Sequence, residues 1–240
     1  EGIKIYRIKP SRIKGLAWYF NNRAIFKTIK EIHSTEPIDV IETSELGLAF
    51  LEKIKSVKYI IRLHGGHHFF SEAENRGINW WKGWQEKRSF KKADAFIAVS
   101  EYVQKHTEKY LSYHHKPIAV IFYPIDIISF SPKLNEGIDK KEKTIVFAGT
   151  ICEKKGVRQL IQALPKIKES FPDAILHLYG RDWQFPDGSS YITMLKNTEL
   201  PKIKPYDTAV VFHGSIAYET IPEVYAKASV CVFPSHMETL

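Results

Sequence analysis

The sequence predicts an α/β protein of two Rossmann-like lobes, each a doubly wound parallel sheet. Three observations lead there. Short apolar runs rich in β-branched residues alternate with amphipathic stretches of helical period along nearly the whole chain. An aperiodic segment over 123–142, carrying Pro124, Pro132 and Gly137, divides that alternation into two series and reads as a linker. Strand–helix–strand crossovers are almost always right-handed, which leaves the doubly wound sheet as the natural topology for each series. The lobes are therefore expected over 1–122 and 143–240.

The first series opens with a strand pattern at Ile3–Ile8 and a helix over about Gly15–Ser34. Trp18, Ile25, Ile29 and Ile32 form one stripe of that helix, while Tyr19, Arg23, Phe26, Lys27 and Lys30 mix aromatics with cations on a flank. Strands follow at 38–42, 58–63, 95–99 and 118–122, with helices at 46–54, 80–91 and 101–110. A Gly- and His-rich loop is expected over His64–Phe70. The second series has strands at 144–148, 175–179, 209–213 and 229–233. Its first helix carries Val157, Leu160, Ile161, Leu164, Ile167 and Phe171 inward, and shorter helices are expected near 191–196 and 219–227. The pattern stops midway at Pro234–Leu240 and begins at a Glu leading into a strand, so the chain reads as a piece trimmed at both ends.

Composition narrows the class. With 240 residues, 44% apolar and no low-complexity tract, the chain is globular. No apolar run approaches the roughly 20 residues needed to span a bilayer. Two lone cysteines, Cys152 and Cys231, fit a reducing cytosol, so a cytoplasmic setting is expected. The net charge of +8 is concentrated at one end: residues 1–30 hold eight cations against Glu1. That block fits a solvated helix face, an anionic membrane surface or nucleic acid. No nucleic-acid recognition fold accompanies it, so nucleic acid is not an expected partner.

Several segments can carry chemistry because each follows a strand. In doubly wound sheets ligands bind at the carboxyl ends of strands, where helix N-termini offer free N–H groups. Gly149–Gly156 lies between a strand and a helix: Gly149 and Gly156 let the backbone approach a phosphate, Lys155 adds a full charge, and Thr150 sits in the turn. The same segment also reads as a plain tight turn. Glu238, in Pro234-Ser235-His236-Met237-Glu238, is placed to accept hydrogen bonds from sugar hydroxyls, or is an ordinary solvated carboxylate. His64-Gly65-Gly66-His67-His68 clusters imidazoles, but no acid or thiol nearby completes a metal set. His64 suits contact with a phosphate or sugar, or a backbone hydrogen bond. Gly180 and Arg181 follow another strand, as do His213, Gly214, Ser215 and Ile216, whose small residues would let a base approach. No Gly-x-Ser-x-Gly elbow, Walker loop or Cys-x-x-Cys pair is present.

Taken in order, these pieces resemble the group 1 (family 4) glycosyltransferases of the GT-B fold, from about Ile38 to Leu240. The markers are Ile61-Arg62-Leu63-His64-Gly65, Ala93-Asp94-Ala95-Phe96-Ile97-Ala98-Val99-Ser100, and Pro124-Ile125-Asp126 with Phe130 and Pro132. Phe147-Ala148-Gly149 through Lys155-Gly156, Tyr179-Gly180, Phe212-His213-Gly214, Ala228, and Pro234-Ser235 with Glu238 complete them. The resemblance implies two incomplete lobes facing a cleft and a retaining transfer from a nucleotide-diphosphate sugar without a metal ion. It gives Lys155 the donor diphosphate, Glu238 the donor sugar and His64 a place near the reacting centre. Thr150 departs from the family's frequent arginine, and Tyr123 from its asparagine. A glycan or lipid-linked acceptor of cell-envelope polysaccharide synthesis is expected on the first lobe, with residues 1–30 meeting the inner membrane face. No resident cofactor or metal is expected. A nucleotide-sugar epimerase of the same fold and a catalytically inactive sugar-nucleotide-binding relative are the competing readings.

Overall fold

The computed structural model describes residues 2–73, 77–131 and 143–239. It divides into two compact units. One comprises Glu1–Tyr123 with Thr239–Leu240, the other Pro124–Glu238. Pro132 and Gly137 of the expected linker lie outside the described residues.

Unit 1 holds α1 (Ala17–Thr35), β1 (Val40–Thr43), β2 (Lys58–Leu63), α2 (His67–Ala73), α3 (Trp80–Lys92), β3 (Ala95–Ala98), α4 (Glu101–Glu108) and β4 (Ile118–Val120). Its four strands pair in parallel in the order β1-β2-β3-β4. Strand alternation builds the core: Tyr59, Ile61 and Leu63 of β2 are fully buried while Lys58, Ile60 and Arg62 are not. Asn79 caps α3 by accepting from the Lys82 amide at 3.1 Å, and Ser100 caps α4 by accepting from Val103 at 3.1 Å.

Unit 2 holds β5 (Thr144–Ala148), α5 (Val157–Ser170), β6 (Ile175–Tyr179), α6 (Tyr191–Thr198), β7 (Val210–Gly214), α7 (Ile221–Lys227) and β8 (Val230–Cys231). All pairs are parallel and the order is β7-β6-β5-β8. The core packs Ile145 and Phe147 of β5 and Leu176 and Leu178 of β6 against Leu160, Ile161 and Leu164 of α5. The strand order runs outward from β5 in one direction and then returns to its other side with β8. That reversal is a topological switch point.

Three expected elements differ. Ile3–Ile8 forms no strand: the segment joins no sheet among the described residues, and Ile3 and Ile5 stand 87% and 76% exposed. No helix forms over 46–54, because its carbonyls are taken from outside. Arg88 Nε donates to the Ala49 carbonyl at 2.7 Å and Lys92 Nζ to that of Leu51 at 2.8 Å, while Ser89 Oγ accepts from the Leu48 amide. The His64–Phe70 segment is a loop only as far as Gly66, after which α2 begins.

In unit 2, Glu199 is buried and ties α5 to the turn after α6. It accepts from Gln162 Nε2 at 2.8 Å, Lys202 Nζ at 2.9 Å and Arg158 Nη1 at 3.0 Å. The hydrogen bonds from Gln162 and Lys202 outweigh burial and hold its carboxyl at about 2, against an ordinary 4.5. A depressed folded-state value stabilises fully above the ordinary value and is lost as pH falls towards about 2. Glu199→Gln should therefore cost about 1–3 kcal/mol near neutrality. In urea unfolding, the gap between the two proteins should narrow steadily below the ordinary carboxyl range. A gap that stays constant into acid would mean the charge of Glu199 contributes nothing.

Candidate functional site

The carboxyl ends of β5, β6 and β7 close side by side on glycines. The Gly149 amide donates to the Tyr179 carbonyl at 2.9 Å, and the Gly180 amide to that of Gly214 at 2.8 Å. Gly180 has φ +144°, and a Cβ there would lie 1.6 Å from the Gly149 carbonyl oxygen, so no side chain fits. Beyond Gly149 the chain runs alongside the loop after β6, with the Ile151 amide donating to the Arg181 carbonyl at 2.9 Å. That pairing sets Arg181 Nε 3.3 Å from Thr150 Oγ1, with the guanidinium exposed.

A single 3-10 turn, Glu153–Lys155, leads into Gly156, whose left-handed φ of +69° starts α5. A Cβ at Gly156 would lie 1.9 Å from the Pro234 carbonyl oxygen, so the segment after β8 passes directly over the start of α5. The His236 amide donates to the Lys154 carbonyl at 2.9 Å and fixes that approach. Lys155 Nζ then forms an ion pair with Glu238 Oε1, which also accepts from Ser235 Oγ at 2.5 Å. Burial alone would raise the Glu238 carboxyl, but the Lys155 and Ser235 contacts prevail and lower it. Lys155 and Glu238 thus meet at the switch point, between the ends of β5 and β8.

On β6 and β7, Tyr179 and His213 stack with ring centroids 4.2 Å apart and planes 6° apart. His213 Nε2 lies 2.8 Å from His177 Nδ1, and burial lowers the His213 value, which favours the neutral imidazole. Ser215 and Ile216 follow β7 without regular structure.

His64 lies in unit 1, at the end of β2. Its amide donates to Glu45 Oε1 at 2.5 Å, and its Nδ1 is hydrogen-bonded to Tyr123 Oη, the two rings lying nearly parallel at 16°. Position 123, read from the sequence only as a departure, is therefore the residue that holds the His64 ring. His67 and His68 are committed to protein partners. Glu86, fully buried on α3, accepts from both of their amides and pairs with His68 Nδ1, while His67 Nε2 accepts from the Asn79 amide at 2.8 Å. Glu45 is also buried; desolvation raises its carboxyl, and Glu86 nearby adds to the rise. Both glutamates line a cavity of about 300 Å³ with Gly65, Gly66, His67 and Lys82. Neither was legible in sequence, since each acts on a segment 18 or more residues away. Among the described residues no group of three or more His, Cys, Asp or Glu is placed to hold a metal ion.

The family model described as Glycosyltransferase Family 4 matches residues 2–128, more than half of the chain. The chain belongs to glycosyltransferase family 4. A second model, described as Glycosyl transferases group 1, matches residues 133–240. Protein YtcC of Bacillus subtilis is 26% identical over 165 residues, covering 63% of this chain and 39% of YtcC. Spore coat protein SA of the same organism is 27% identical over 157 residues, covering 59% of this chain and 40% of its own length. The chain thus spans about two fifths of the curated relatives it matches. Among solved structures, sucrose-phosphate synthase of Thermosynechococcus elongatus is similar with a TM-score of 0.74 and 19% identity, over 98% of this chain and 60% of that one. HepE of Anabaena in complex with UDP and glucose is similar with a TM-score of 0.69 and 18% identity, over 94% of this chain and 59% of that one. With these neighbours, the two parallel-sheet α/β units of this family 4 chain fit the GT-B fold.

Removing the Glu86 carboxylate would strand three buried donors. Glu86→Ala should cost about 3–5 kcal/mol and speed hydrogen exchange at the His67 and His68 amides. Unchanged exchange at those two amides would show that another group holds the segment.

Proposed function

We propose that this chain forms part of a glycosyltransferase that moves a sugar from a nucleoside-diphosphate sugar to a glycan or lipid-linked acceptor, with retention and without a metal ion. The observation that carries the reading is the meeting of Lys155 and Glu238 at the switch point of unit 2. There the ammonium is assigned to a diphosphate and the carboxylate to sugar hydroxyls. As the glycosidic bond breaks, negative charge grows on the leaving nucleoside diphosphate. Lys155 and the amides at the start of α5 stabilise that charge in the place a metal would otherwise take.

Thr150 leaves the turn without the family's frequent arginine, and this favoured an inactive relative. Arg181, 3.3 Å from Thr150 Oγ1, brings a guanidinium to the same turn from the neighbouring strand. That contact supports an intact diphosphate clamp and so favours the transferase over the inactive relative. The glycine-closed ends of β6 and β7, with His213, Gly214, Ser215 and Ile216, are assigned to the nucleoside. HepE is a complex with UDP and glucose, so a UDP-sugar is the first donor class to test. His64, steadied by Tyr123 and Glu45, is the unit 1 residue assigned to the reacting centre. Residues 1–30 are assigned to an anionic membrane surface, at the inner face of a cytoplasmic enzyme of envelope polysaccharide synthesis.

The test is a metal-free thermal-shift panel of UDP, GDP, ADP and their sugars on the full-length protein. One nucleotide class should raise the midpoint as its concentration exceeds its dissociation constant. Lys155→Ala and Arg181→Ala should each weaken that shift, and Lys155→Ala should cost about 3–4 kcal/mol in the barrier to transfer. No shift with any nucleotide would remove the donor site. A shift that appears only with added divalent metal would leave the site and overturn metal independence.

A further inference from the structure

Four of the five tryptophans belong to unit 1: Trp18 on α1 and Trp80, Trp81 and Trp84 on α3. All four are exposed, Trp80 by 76%. The inner face of α3 is made by Gly83, Glu86, Ser89 and Phe90, which leaves the tryptophans on the outer face. Trp81 and Trp84 stack at 5.2 Å with planes 8° apart, and both reach Phe50, at 5.8 and 5.9 Å. Phe50 in turn meets Trp18 at 4.4 Å, which joins α1 to the cluster. No residue of α1 is buried.

A groove of about 700 Å³ runs beside this cluster, and its charged lining is mostly positive. Arg23, Lys27, Lys30 and Arg88 line it against Glu52. Lys27 is in a loose exposed pair with Glu31 at 3.7 Å, and the Arg88 guanidinium lies over the Trp84 ring at 5.5 Å. Lysines beside aromatic rings are unlike the core of a protein–protein interface, where aromatics and Arg are enriched but Lys is depleted. The combination matches a bilayer surface, where indoles settle at headgroup level and Lys and Arg face lipid phosphates. No helix among the described residues is long and apolar enough to cross a membrane.

We propose that α1 and α3 together dock unit 1 on an anionic lipid bilayer. Trp80, Trp81 and Trp84 enter the headgroup layer while Arg23, Lys27 and Lys30 meet lipid phosphates. The proposal rests on the membrane reading of residues 1–30 and extends it to α3, which that reading did not include. It is independent of donor binding.

The test is co-sedimentation of the chain with phosphatidylcholine vesicles, with and without phosphatidylserine. The chain should sediment with the anionic vesicles, less so as salt rises. Trp81→Ala/Trp84→Ala, a pair of exposed positions, should keep its circular dichroism and weaken the partition at least about tenfold. Lys27→Glu/Lys30→Glu should weaken it at least as much. In a Trp183→Phe background every remaining indole belongs to unit 1, and brominated lipid should quench the fluorescence. Absence of sedimentation with either vesicle, or equal sedimentation with both, overturns the proposal. Loss in the lysine variant with full binding in the tryptophan variant would keep the reading of residues 1–30 and overturn the part played by α3.

Discussion

The parallel pairing of β5 with β6 on one side and β8 on the other is the constraint on which unit 2 depends. Parallel strands all end at the same edge of a sheet, so every loop that follows a strand opens there. With β5 in the middle, the chain leaves its end for α5 and returns later through β8, so the loops after both strands open at the same edge. Close backbone contacts then set the distances. The Gly180 position admits no Cβ beside the Gly149 carbonyl, and Pro234 lies over Gly156. Lys155 and Glu238, 83 residues apart in sequence, meet because these backbones are forced together.

Unit 1 solves a related problem with carboxylates. The segment after β2 has two glycines and begins a short helix, which leaves amides without partners in a buried setting. Glu86 and Glu45 supply the acceptors from elsewhere in the unit. The His64 amide is fixed by Glu45, and its ring is held by Tyr123. Placement of this imidazole is thus a property of two residues distant in sequence, Glu45 and Tyr123, rather than of its own loop.

Legibility in the sequence follows from the range of the interactions involved. The β5–α5 unit was readable because Val157, Leu160, Ile161 and Leu164 repeat at helical spacing, and all four are buried. That Lys155, Glu238, Gly180 and Arg181 lie on loops after strands was readable from the strand patterns before them. The failures lie where distant partners decide. Ile3–Ile8 has strand alternation, yet a strand without a neighbour gains no hydrogen bonds. Residues 46–54 have helical spacing, but the Arg88 and Lys92 side chains claim the carbonyls a helix would use. The outer tryptophans of α3 were read as part of a helix and nothing more, since its buried face of Gly83, Glu86, Ser89 and Phe90 is no apolar stripe that sequence would pick out.

Electrostatics explain how a paired lysine can still serve a ligand. The Lys155 and Glu238 side chains are 26% and 45% exposed, so water screens their attraction. A pair in such a setting contributes up to about 1 kcal/mol. A diphosphate in the proposed donor site would bring two charges to the same ammonium and accept from the amides at the start of α5, with Arg181 beside Thr150 on the next strand's loop. On the proposed reading, that set would replace one carboxylate and leave Glu238 to accept from hydroxyl groups. The ion pair therefore holds both side chains in place while leaving each within reach of a competing charged partner.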